Sequence, residues 1–521
     1  WIHFTSGYSR ANGRREMAVL NLITLDWLFT ALLFVVTVVL MKIHASVRKK
    51  KDILGDMPGY PGYLPWLGHA HLATQFTYTG FIEEIKKTRK QNKGTLHIWV
   101  GPKLCAYVAN PNDVEHVFNR KDAINKGFLF SFFHGHSVGI VTSTTPRWNH
   151  MRRLANIPMA HKQMIDSFQD IFQHHSKILL DNLAAVEGGD FLDINNYLSR
   201  CCQDITYGAH FGVNLDIQRK DEYNAQDTVT KVLNLVFERM MKVWLYPDFL
   251  YSLTQRGKDM KRCVEHHKFV ARAILSERRR ILKERKENME ENEFENKFPK
   301  LMDVYLSEQS GLSDDDIVHN IMDLMLVGFE AMSQTQGWIL LLLAMFPQYQ
   351  DQLQAELDEQ LGGVDEDFTL AQLQKCQYLD MVTREALRLF GLPVVIRKLE
   401  SDVTIEHYTL PAEAEIIIGM CMVHRDVRYW DHPDIFYPDH FLPEKVAARP
   451  KNAFVPFGLG PRKCPAYSYG MVTIKYVAAT LLRKYRFTTK QDYDNLPLEL
   501  LFMYKPADGF LVRFEPRHFP A

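Results

Sequence analysis

The sequence predicts a mainly α-helical protein with a minor β-sheet portion and an N-terminal transmembrane helix. Apolar residues recur at helical spacing from Asn149 to Gln360, whereas short β-type runs lie near 96–109, 402–420 and 499–515. The stretch from Leu20 to Ile43 is apolar and long enough to cross a bilayer, which takes about 20 residues. These three observations place one large, mostly helical domain behind a membrane anchor.

Composition excludes several classes of protein. The chain has 521 residues with 62 Lys+Arg and 62 Asp+Glu, so a zero net charge gives no reason to expect nucleic acid as a partner. A hydrophobic share of 46% supports a large folded core. The seven cysteines are scattered without a CxxC pair, which excludes a disulfide framework and a zinc finger and suits a reducing compartment.

The N-terminal apolar run is interpreted as a membrane anchor over residues 17–45. Trp27 to Met41 is almost wholly apolar, and the cations of residues 42–51 follow it directly. The positive-inside rule therefore puts the rest of the chain on the cytosolic side. A buried core helix and a cleaved signal peptide are the alternatives, but a signal peptide carries its charge before the apolar run.

Other boundaries follow from composition. We expect residues 1–16 to be an upstream extension, because Met17 opens the anchor and the arginines before it weaken the charge asymmetry. Residues 46–69 are basic and then rich in proline, which predicts a semi-rigid hinge before one domain spanning 70–521. The charged run 276–300 is typical of a helix end followed by a surface loop.

One cysteine has an unusual context. Cys464 lies in the Gly- and Pro-rich segment 457–471, just before an apolar, helix-like stretch. A thiolate that binds a metal needs stabilisation by loop N–H groups and a helix N-terminus. Gly458 and Gly460 permit an unusual backbone, and Arg462 supplies a nearby cation. A buried free cysteine is the alternative.

This segment resembles the cysteine loop of the cytochrome P450 superfamily, F-x-x-G-x-R-x-C-x-G. The matching positions are Phe457, Gly460, Arg462 and Cys464, and Ala466 stands where the second glycine is usual, a small change that we expect to be tolerated. The resemblance implies a cytochrome P450 fold over residues 70–521, with haem b (iron protoporphyrin IX) and Cys464 as its axial thiolate. The segment HRDVRYWDHPDIFYPDHFLPE is most similar to the insect-type members of the family-four clan.

Two further segments resemble structural elements of the same superfamily. Glu385-x-x-Arg388 places two opposite charges on one helical face and resembles the buried ion pair of the family. YPDHFLPE resembles the element that normally adds an arginine to that pair, but His440 stands in its place. Because histidine has no guanidinium fork and is not always charged, the third member of the triad is an open question.

The resemblance also implies residues that hold the haem. Trp148 and Arg152 match the helix that contacts the haem propionates, and Arg397 and Arg462 match further propionate contacts. Cations suit this role because a guanidinium binds a carboxylate through two hydrogen bonds. Phe457 completes the set within the cysteine loop.

The main departure from the family lies in a long helix predicted over 313–347, about 45 Å at ~1.5 Å per residue. The family's A/G-G-x-D/E-T-T motif, which helps deliver protons during dioxygen activation, keeps Gly328 and Glu330 but has Ala331 in place of the threonine. Ser333 lies about 200° further round the helix and cannot substitute. We therefore expect poorer coupling of electrons to product. No glutamate precedes Gly328, so we expect haem to be bound non-covalently.

Three functional classes remain open. The first is a microsomal monooxygenase of the endoplasmic reticulum membrane, which inserts one oxygen atom from O2 into a fatty acid, hormone-like lipid or xenobiotic. The second is a haem-thiolate isomerase or dehydratase of oxidised lipids, and the third is a weakly active haem-binding member; Ala331 and His440 keep both open. The aromatic and apolar loops near 125–142 and 235–255 indicate a lipophilic substrate.

The resemblance also implies partners. Electrons would come from NADPH through NADPH–cytochrome P450 reductase, a membrane-bound flavoprotein, with cytochrome b5 as a further candidate partner. The cations that could form a basic docking face near the thiolate, or equally be solvated surface charges, are Arg147, Arg153, Lys463 and Lys475. The lipid bilayer and a lipophilic small molecule complete the predicted partners.

Overall fold

The computed structural model describes the backbone of residues 5–74, 94–220, 225–288, 299–364, 366–405, 407–500 and 503–517. Side chains before Trp27 and the backbone of residues 1–4 lie outside this description, so the start at Met17 with its extension 1–16 stays a prediction.

The helices fall into three groups along the chain. The first group is α1 (Thr5–Leu54), α2 (Pro111–Asn119), α3 (Phe128–Ser131), α4 (Arg147–Ala160), α5 (Lys162–Asp166), α6 (Gln169–Ala184) and α7 (Asn195–Thr206). The second is α8 (Ala225–Met241), α9 (Asp248–Leu253), α10 (Gln255–Glu287), α11 (Leu301–Leu306), α12 (Asp314–Val327), α13 (Glu330–Met345) and α14 (Pro347–Leu361). The third is α15 (Leu370–Leu373), α16 (Gln377–Phe390), α17 (Met420–Val423), α18 (Pro443–Ala448) and α19 (Tyr467–Lys484).

The strands are short and form small sheets, as predicted. They are β1 (Thr95–Val100), β2 (Lys103–Val108), β3 (Leu192–Asp193), β4 (Val395–Lys398), β5 (Val403–Thr404), β6 (Thr409–Leu410), β7 (Glu415–Ile418), β8 (Tyr485–Thr488), β9 (Leu498–Leu500), β10 (Tyr504–Pro506) and β11 (Leu511–Pro516). The largest sheet has the order β1-β2-β7-β4, in which only the β2–β7 pair is parallel. The others are β3-β11-β8, β9-β10 and β5-β6.

The N-terminal helix is longer than the predicted anchor. Phe29–Leu54 is apolar and long enough to span a membrane, and its most apolar window has no surface buried against the rest of the protein. The helix continues through the basic residues to Leu54, so the first part of the predicted hinge is helical. Leu54 and Met57 are buried in a core cluster with Trp99 and Ile416 of the large sheet. The hinge is therefore packed onto the domain.

The long helix predicted over 313–347 is interrupted. A capping box between Ser313 and Asp316 starts α12 as expected, but Gly328 and Phe329 separate it from α13. The Gly328 N–H donates to the Leu324 carbonyl at 2.7 Å, closing α12 at this point. The prediction of one continuous helix is wrong at its centre, at the residues that the family motif occupies.

Candidate active site

A cavity lies between the α12–α13 break, the N-terminus of α19 and the loop that carries Cys464. It encloses about 1520 Å³ between atoms, part of it open to solvent. Its apolar wall is formed mainly by Ile140, Leu324, Val327, Met332, Leu387 and Val395. Eight of the predicted site residues also line it, namely Trp148, Arg152, Gly328, Ala331, Arg397, Phe457, Arg462 and Cys464.

The cysteine loop presents its thiol to this cavity. Six of the seven cysteines are buried, whereas Cys464 keeps exposed surface because it faces the open space. Its N–H donates to the Phe457 carbonyl at 3.0 Å, which closes the loop. Gly460 has φ +70°, and a Cβ there would lie 2.0 Å from the Phe118 carbonyl oxygen, so only glycine fits. Ala466 has φ −92°, which explains why alanine is accommodated there.

The electrostatics around the thiol suit a bound metal. Burial raises the pKa of Cys464, while the Ala466 N–H, Arg152 and Lys126 act in the opposite direction. A thiolate here thus has one hydrogen-bond donor and two cations to stabilise it, but not enough to overcome burial alone. A metal ion that binds the sulfur would supply the missing stabilisation.

A cluster of cations at the cavity has no carboxylate partner in the described part of the chain. Arg462 donates only to backbone carbonyls, those of Ile124, Val141 and Ser143, at 2.7–3.2 Å. Arg397 donates to its neighbouring carbonyl, and Arg152 to the carbonyl of Lys463. Arg397 is buried and the other two are half-buried, and the Asp323 charge favours Arg462 without forming a salt bridge to it. A cluster of this kind suits a dianionic ligand.

The pKa shifts describe the same cluster. Burial, followed by repulsion from Arg397, lowers the pKa of Arg462 to about 9, and burial lowers that of Arg397 to about 10. The Arg462 guanidinium lies 4.8 Å from the centre of the Trp148 ring, which holds it in place. The two propionates of a haem fit this end of the cavity, while its apolar wall fits the porphyrin.

Lys126 belongs to the cluster and was not predicted. It lines the cavity, and burial together with Arg462 and Arg397 lowers its pKa well below the ordinary value. Its ammonium lies 4.0 Å from the centre of the Phe130 ring. No local pattern around residue 126 signals this role, and the only signal was its place in the aromatic loop near 125–142.

Behind the loop, Glu385, Arg388 and His440 come together as the resemblance implied. Arg388 forms two hydrogen bonds of 2.7 Å with the Glu385 carboxylate, and both side chains are fully buried. Burial alone would raise the pKa of Glu385, but the Arg388 charge and the bonds from Arg388 and His440 lower it below its usual range. The ion pair is therefore retained in its charged form.

His440 occupies the place of the usual arginine with both ring nitrogens engaged. Nδ1 lies 3.1 Å from a Glu385 carboxylate oxygen, and Nε2 bonds the Asp431 carbonyl. Both partners are oxygen acceptors, so each ring nitrogen faces a group that can accept a hydrogen bond. His440 thus occupies the arginine's place with a contact to the same Glu385 carboxylate.

The triad is connected to the cysteine loop through His424, a residue that sequence reasoning missed. Arg388 donates to the His424 carbonyl at 2.9 Å, and the Val455 N–H donates to His424 Nε2 at 2.9 Å. Burial lowers the pKa of His424 to about 3, so the ring is neutral and free to accept. Val455 lies two residues before Phe457, whose carbonyl holds Cys464, so the buried ion pair positions the thiol.

At the break between α12 and α13, the predicted catalytic residues Ala331 and Glu330 are placed differently. The Ala331 methyl lines the cavity, but Glu330 is not among the described residues that do so. Glu330 accepts a hydrogen bond of 2.6 Å from Gln334, and its second carboxylate oxygen has no hydrogen-bond partner among the residues that the structure describes. Burial raises the pKa of Glu330. Thr335, one turn after Ala331, lines the cavity and donates to the Ala331 carbonyl at 2.7 Å.

The two loops expected to shape the pocket contribute unequally. The first provides Lys126, Ile140 and Val141 to the cavity lining, whereas no described residue of 235–255 reaches it. Instead Tyr246 packs against the first loop, with its ring centre 4.9 Å from that of Phe132.

Comparison with known proteins agrees with this geometry. A family model described as Cytochrome P450 matches residues 58–512. The chain is 27% identical over 487 residues to Cytochrome P450 4V2 of Mus musculus, covering 91% of this chain and 92% of the relative. It is 28% identical to Cytochrome P450 4c3 of Drosophila melanogaster, over 88% and 89% of the two chains.

A third relative matches almost end to end. Cytochrome P450 4c21 of Blattella germanica is 26% identical, over 94% of this chain and 99% of the relative. The three relatives confirm the predicted likeness to the family-four clan, which includes insect members. With a thiol loop, a cation cluster and a family match over most of its length, the chain belongs to the cytochrome P450 family of haem-thiolate monooxygenases.

Proposed function

We propose that this enzyme inserts one oxygen atom from O2 into a lipophilic substrate at the cavity that Cys464 faces. The observation that carries the proposal is the thiol at one wall of a cavity whose other wall is apolar. When bound, the haem supplies the oxidising chemistry, which a thiolate ligand favours. A fatty acid, a hormone-like lipid or a xenobiotic suits the apolar wall.

The residues of the chain have separate tasks in this proposal. Cys464 would bind the haem iron through its thiolate; Trp148, Arg152, Arg397 and Arg462 would hold the propionates, with Lys126 as an additional cation. The apolar wall of the cavity would orient the substrate and exclude water from it. Glu385, Arg388 and His440 act through the loop as positioning residues.

Proton supply is the weak step of the proposed reaction. The Ala331 methyl replaces the usual hydroxyl, and the Glu330 carboxylate bonds Gln334 and does not face the cavity. A positioned donor contributes about 10²–10⁴-fold to a proton transfer. Protons would therefore reach the oxygen through water or through a hydroxyl of the substrate, and coupling would be poor.

We place the enzyme in the endoplasmic reticulum membrane with its domain in the cytosol. The apolar part of α1 supports this, together with an apolar tip near α9. In that tip the exposed fractions of Trp244, Phe249 and Leu253 are 50%, 72% and 62%, which is unusual unless a membrane covers them.

Electrons would come from NADPH through a membrane-bound reductase, with cytochrome b5 as a second candidate donor. Of the four predicted docking cations, Arg147 pairs with Asp316 at 2.7 Å and Lys475 with Asp380 at 3.1 Å. Arg153 and Lys463 are exposed and form no salt bridge with any described residue. They carry the docking proposal, and replacing both by glutamate is expected to slow reduction by the reductase. Lys261→Glu, on the exposed side of α10, is the control.

The proposal is tested with full-length protein in membranes, reductase, NADPH, labelled dioxygen and a native lipid extract. Products that carry one labelled oxygen atom support it. Unlabelled isomers formed from lipid hydroperoxides without NADPH would instead establish the isomerase or dehydratase function, which the apolar Ala331 position also favours. An intact haem that yields neither product would point to a weakly active member.

A further inference from the structure

The segment 137–143 forms part of the cavity wall. It is hydrogen-bonded to Arg462 on one side and to α12 on the other. Ile140 and Val141 from this segment line the cavity. On one side the carbonyls of Val141 and Ser143 accept hydrogen bonds from Arg462 at 3.2 and 2.7 Å. The placement of that guanidinium therefore depends on what fixes the segment on its other side.

The other side is held by α12, chiefly through one buried carboxylate. His319 Nδ1 and Asn320 Oδ1 also accept from the N–H groups of Val138 and Ile140, at 3.2 and 3.0 Å. Asp323 of α12 has no exposed surface, and it accepts from the N–H groups of Val141 and Thr142 at 2.7 and 3.2 Å. It also accepts from the Ser137 hydroxyl at 2.5 Å. A Cβ at Gly139 would lie 2.7 Å from the same carboxylate, so the segment packs directly on the helix.

Two buried histidines extend this network to α10. His136 Nδ1 lies 2.8 Å from the Ser137 hydroxyl, and His136 Nε2 lies 2.6 Å from His267 Nδ1. Burial lowers the pKa of His267 to about 4 and that of His136 well below its usual value, so both rings are neutral near pH 7.

Neutral rings and an ionised Asp323 carboxylate permit only one order of protons. The Ser137 hydroxyl donates to the carboxylate, so it must accept from His136 Nδ1–H. His136 Nε2 is then unprotonated and accepts from His267 Nδ1–H. His267 Nε2 is left as a bare lone pair, and it has no partner among the described residues. Every donor in the chain therefore points toward Asp323.

We propose that Asp323 is a positioning residue for the haem carboxylates, which fixes segment 137–143 through this ordered hydrogen-bond chain and thereby holds Arg462 in place. The proposal rests on the proposed contact between Arg462 and a propionate. Among the described residues Asp323 neither lines the cavity nor bonds Arg462. Its charge favours the Arg462 cation directly, and its hydrogen bonds act on Arg462 through the segment.

Haem release from the full-length ferric holoprotein to excess apomyoglobin tests the proposal. Asp323→Asn can accept the two N–H groups but not the hydroxyl, and we expect about tenfold faster release, because a hydrogen bond to a buried charge is lost. Ser137→Ala removes one donor with a smaller disturbance and should give a smaller acceleration. Asp204→Asn is the matched control: it is also a buried carboxylate that accepts two N–H groups, those of Ile217 and Gln218.

A double-mutant cycle distinguishes the role of Asp323 from the proposed contact between Arg462 and a propionate. If Asp323 acts through Arg462, Asp323→Asn adds little to the release rate of Arg462→Gln. Additive effects, or an Asp323→Asn rate equal to that of Asp204→Asn, would overturn the inference alone. An Arg462→Gln protein that releases haem at the unmodified rate would instead refute the propionate contact, and the inference with it.

Imidazole nitrogen NMR provides a readout that simple destabilisation would not change. The amide of Asp323→Asn can donate to Ser137, so the hydroxyl can turn to His136 and both rings can exchange tautomers. We expect the His136 and His267 nitrogen signals to exchange their protonated positions in this variant and to stay unchanged in Asp204→Asn. Unchanged tautomers in Asp323→Asn would contradict the ordered chain.

Discussion

The two walls of the cavity are supported by buried glutamates in opposite situations. Behind the thiol loop, Glu385 is bonded by Arg388 and His440, and its pKa is lowered. In the α12–α13 wall, Glu330 has only Gln334 as a hydrogen-bond partner among described residues, and its pKa is raised. The glutamate behind the wall formed by the cysteine loop (the loop wall) is thus held by several hydrogen bonds. The wall formed by α12 and α13 (the helix wall) presents the Ala331 methyl to the cavity.

The largest effect on the loop wall is expected from replacing its thiol. Cys464→Ser keeps the shape of the side chain but removes the soft ligand, so we expect the reduced carbon monoxide spectrum to lose its thiolate-type band. Cys376→Ser, at a buried cysteine remote from the cavity, should retain the band. A thiolate-type spectrum in the Cys464 variant would refute the assignment of the ligand.

The next largest effect is expected from the ion pair behind the loop. Arg388→Ala leaves the buried Glu385 carboxylate with the His440 ring and the Tyr437 N–H as partners. Removing one member of a buried ion pair costs about 3–5 kcal/mol of folding free energy. Thermal or denaturant unfolding of the holoprotein measures the loss. Arg280→Ala, which breaks exposed pairs with Glu277 and Glu284, should leave the midpoint unchanged. Equal effects in the two variants would remove the contrast.

Two small residues of the loop sharpen the comparison within one wall. Gly460→Ala forces a side chain into a left-handed position against the Phe118 carbonyl, so we expect a loss of at least about 1–2 kcal/mol in stability. Ala466→Gly restores the family residue at φ −92° and should change stability and haem content little. The unfolding midpoint and haem content of the two variants test whether position 460 requires glycine while position 466 does not.

The helix wall can be repaired at one position. Ala331→Thr returns a hydroxyl to the cavity, and we expect a severalfold rise in product per NADPH oxidised, because proton delivery improves. Ala331→Val has a similar shape without the hydroxyl and should show no rise. If both variants behave alike, the missing hydroxyl is not what limits coupling.

The smallest expected effect concerns pH, and it has opposite signs at the two glutamates. Glu330 has a raised pKa in the folded protein, so its contribution to stability is present at low pH and lost as pH rises through that pKa. Glu330→Gln should therefore flatten the decline in stability that begins as pH rises above the ordinary carboxyl pKa of 4.5. Glu385 has a lowered pKa, so its contribution is lost as pH falls. Unfolding midpoints measured across pH would show one slope removed and the other retained.

The functional residues of the loop wall could be predicted from the sequence because the pattern that identifies them is local. Cys464, Gly460 and Arg462 lie within a few residues of each other, and the fold only has to keep them together. The ion pair between Glu385 and Arg388 is likewise three residues apart, and the cations that face the cavity were named in advance except for Lys126.

What could not be predicted depends on contacts between distant segments. Asp323 meets Ser137 across 186 positions of sequence, and His136 meets His267 across 131. His440 meets Glu385 across 55 positions, and the helix break at Gly328 interrupts a pattern that looks continuous in sequence. These features are set by tertiary partners and not by spacing along the chain.

The continuous helix α1 has a mechanical consequence. Its last turn is embedded in the sheet core through Leu54, and near its end Lys51 lies 3.9 Å from the centre of the Tyr63 ring. Met41 and Leu54 are 13 residues apart on one helix, a rigid length of about 20 Å at ~1.5 Å per residue. The helix therefore works as a lever arm: when its apolar half tilts in a lipid layer, the whole domain and the mouth of its cavity must tilt with it.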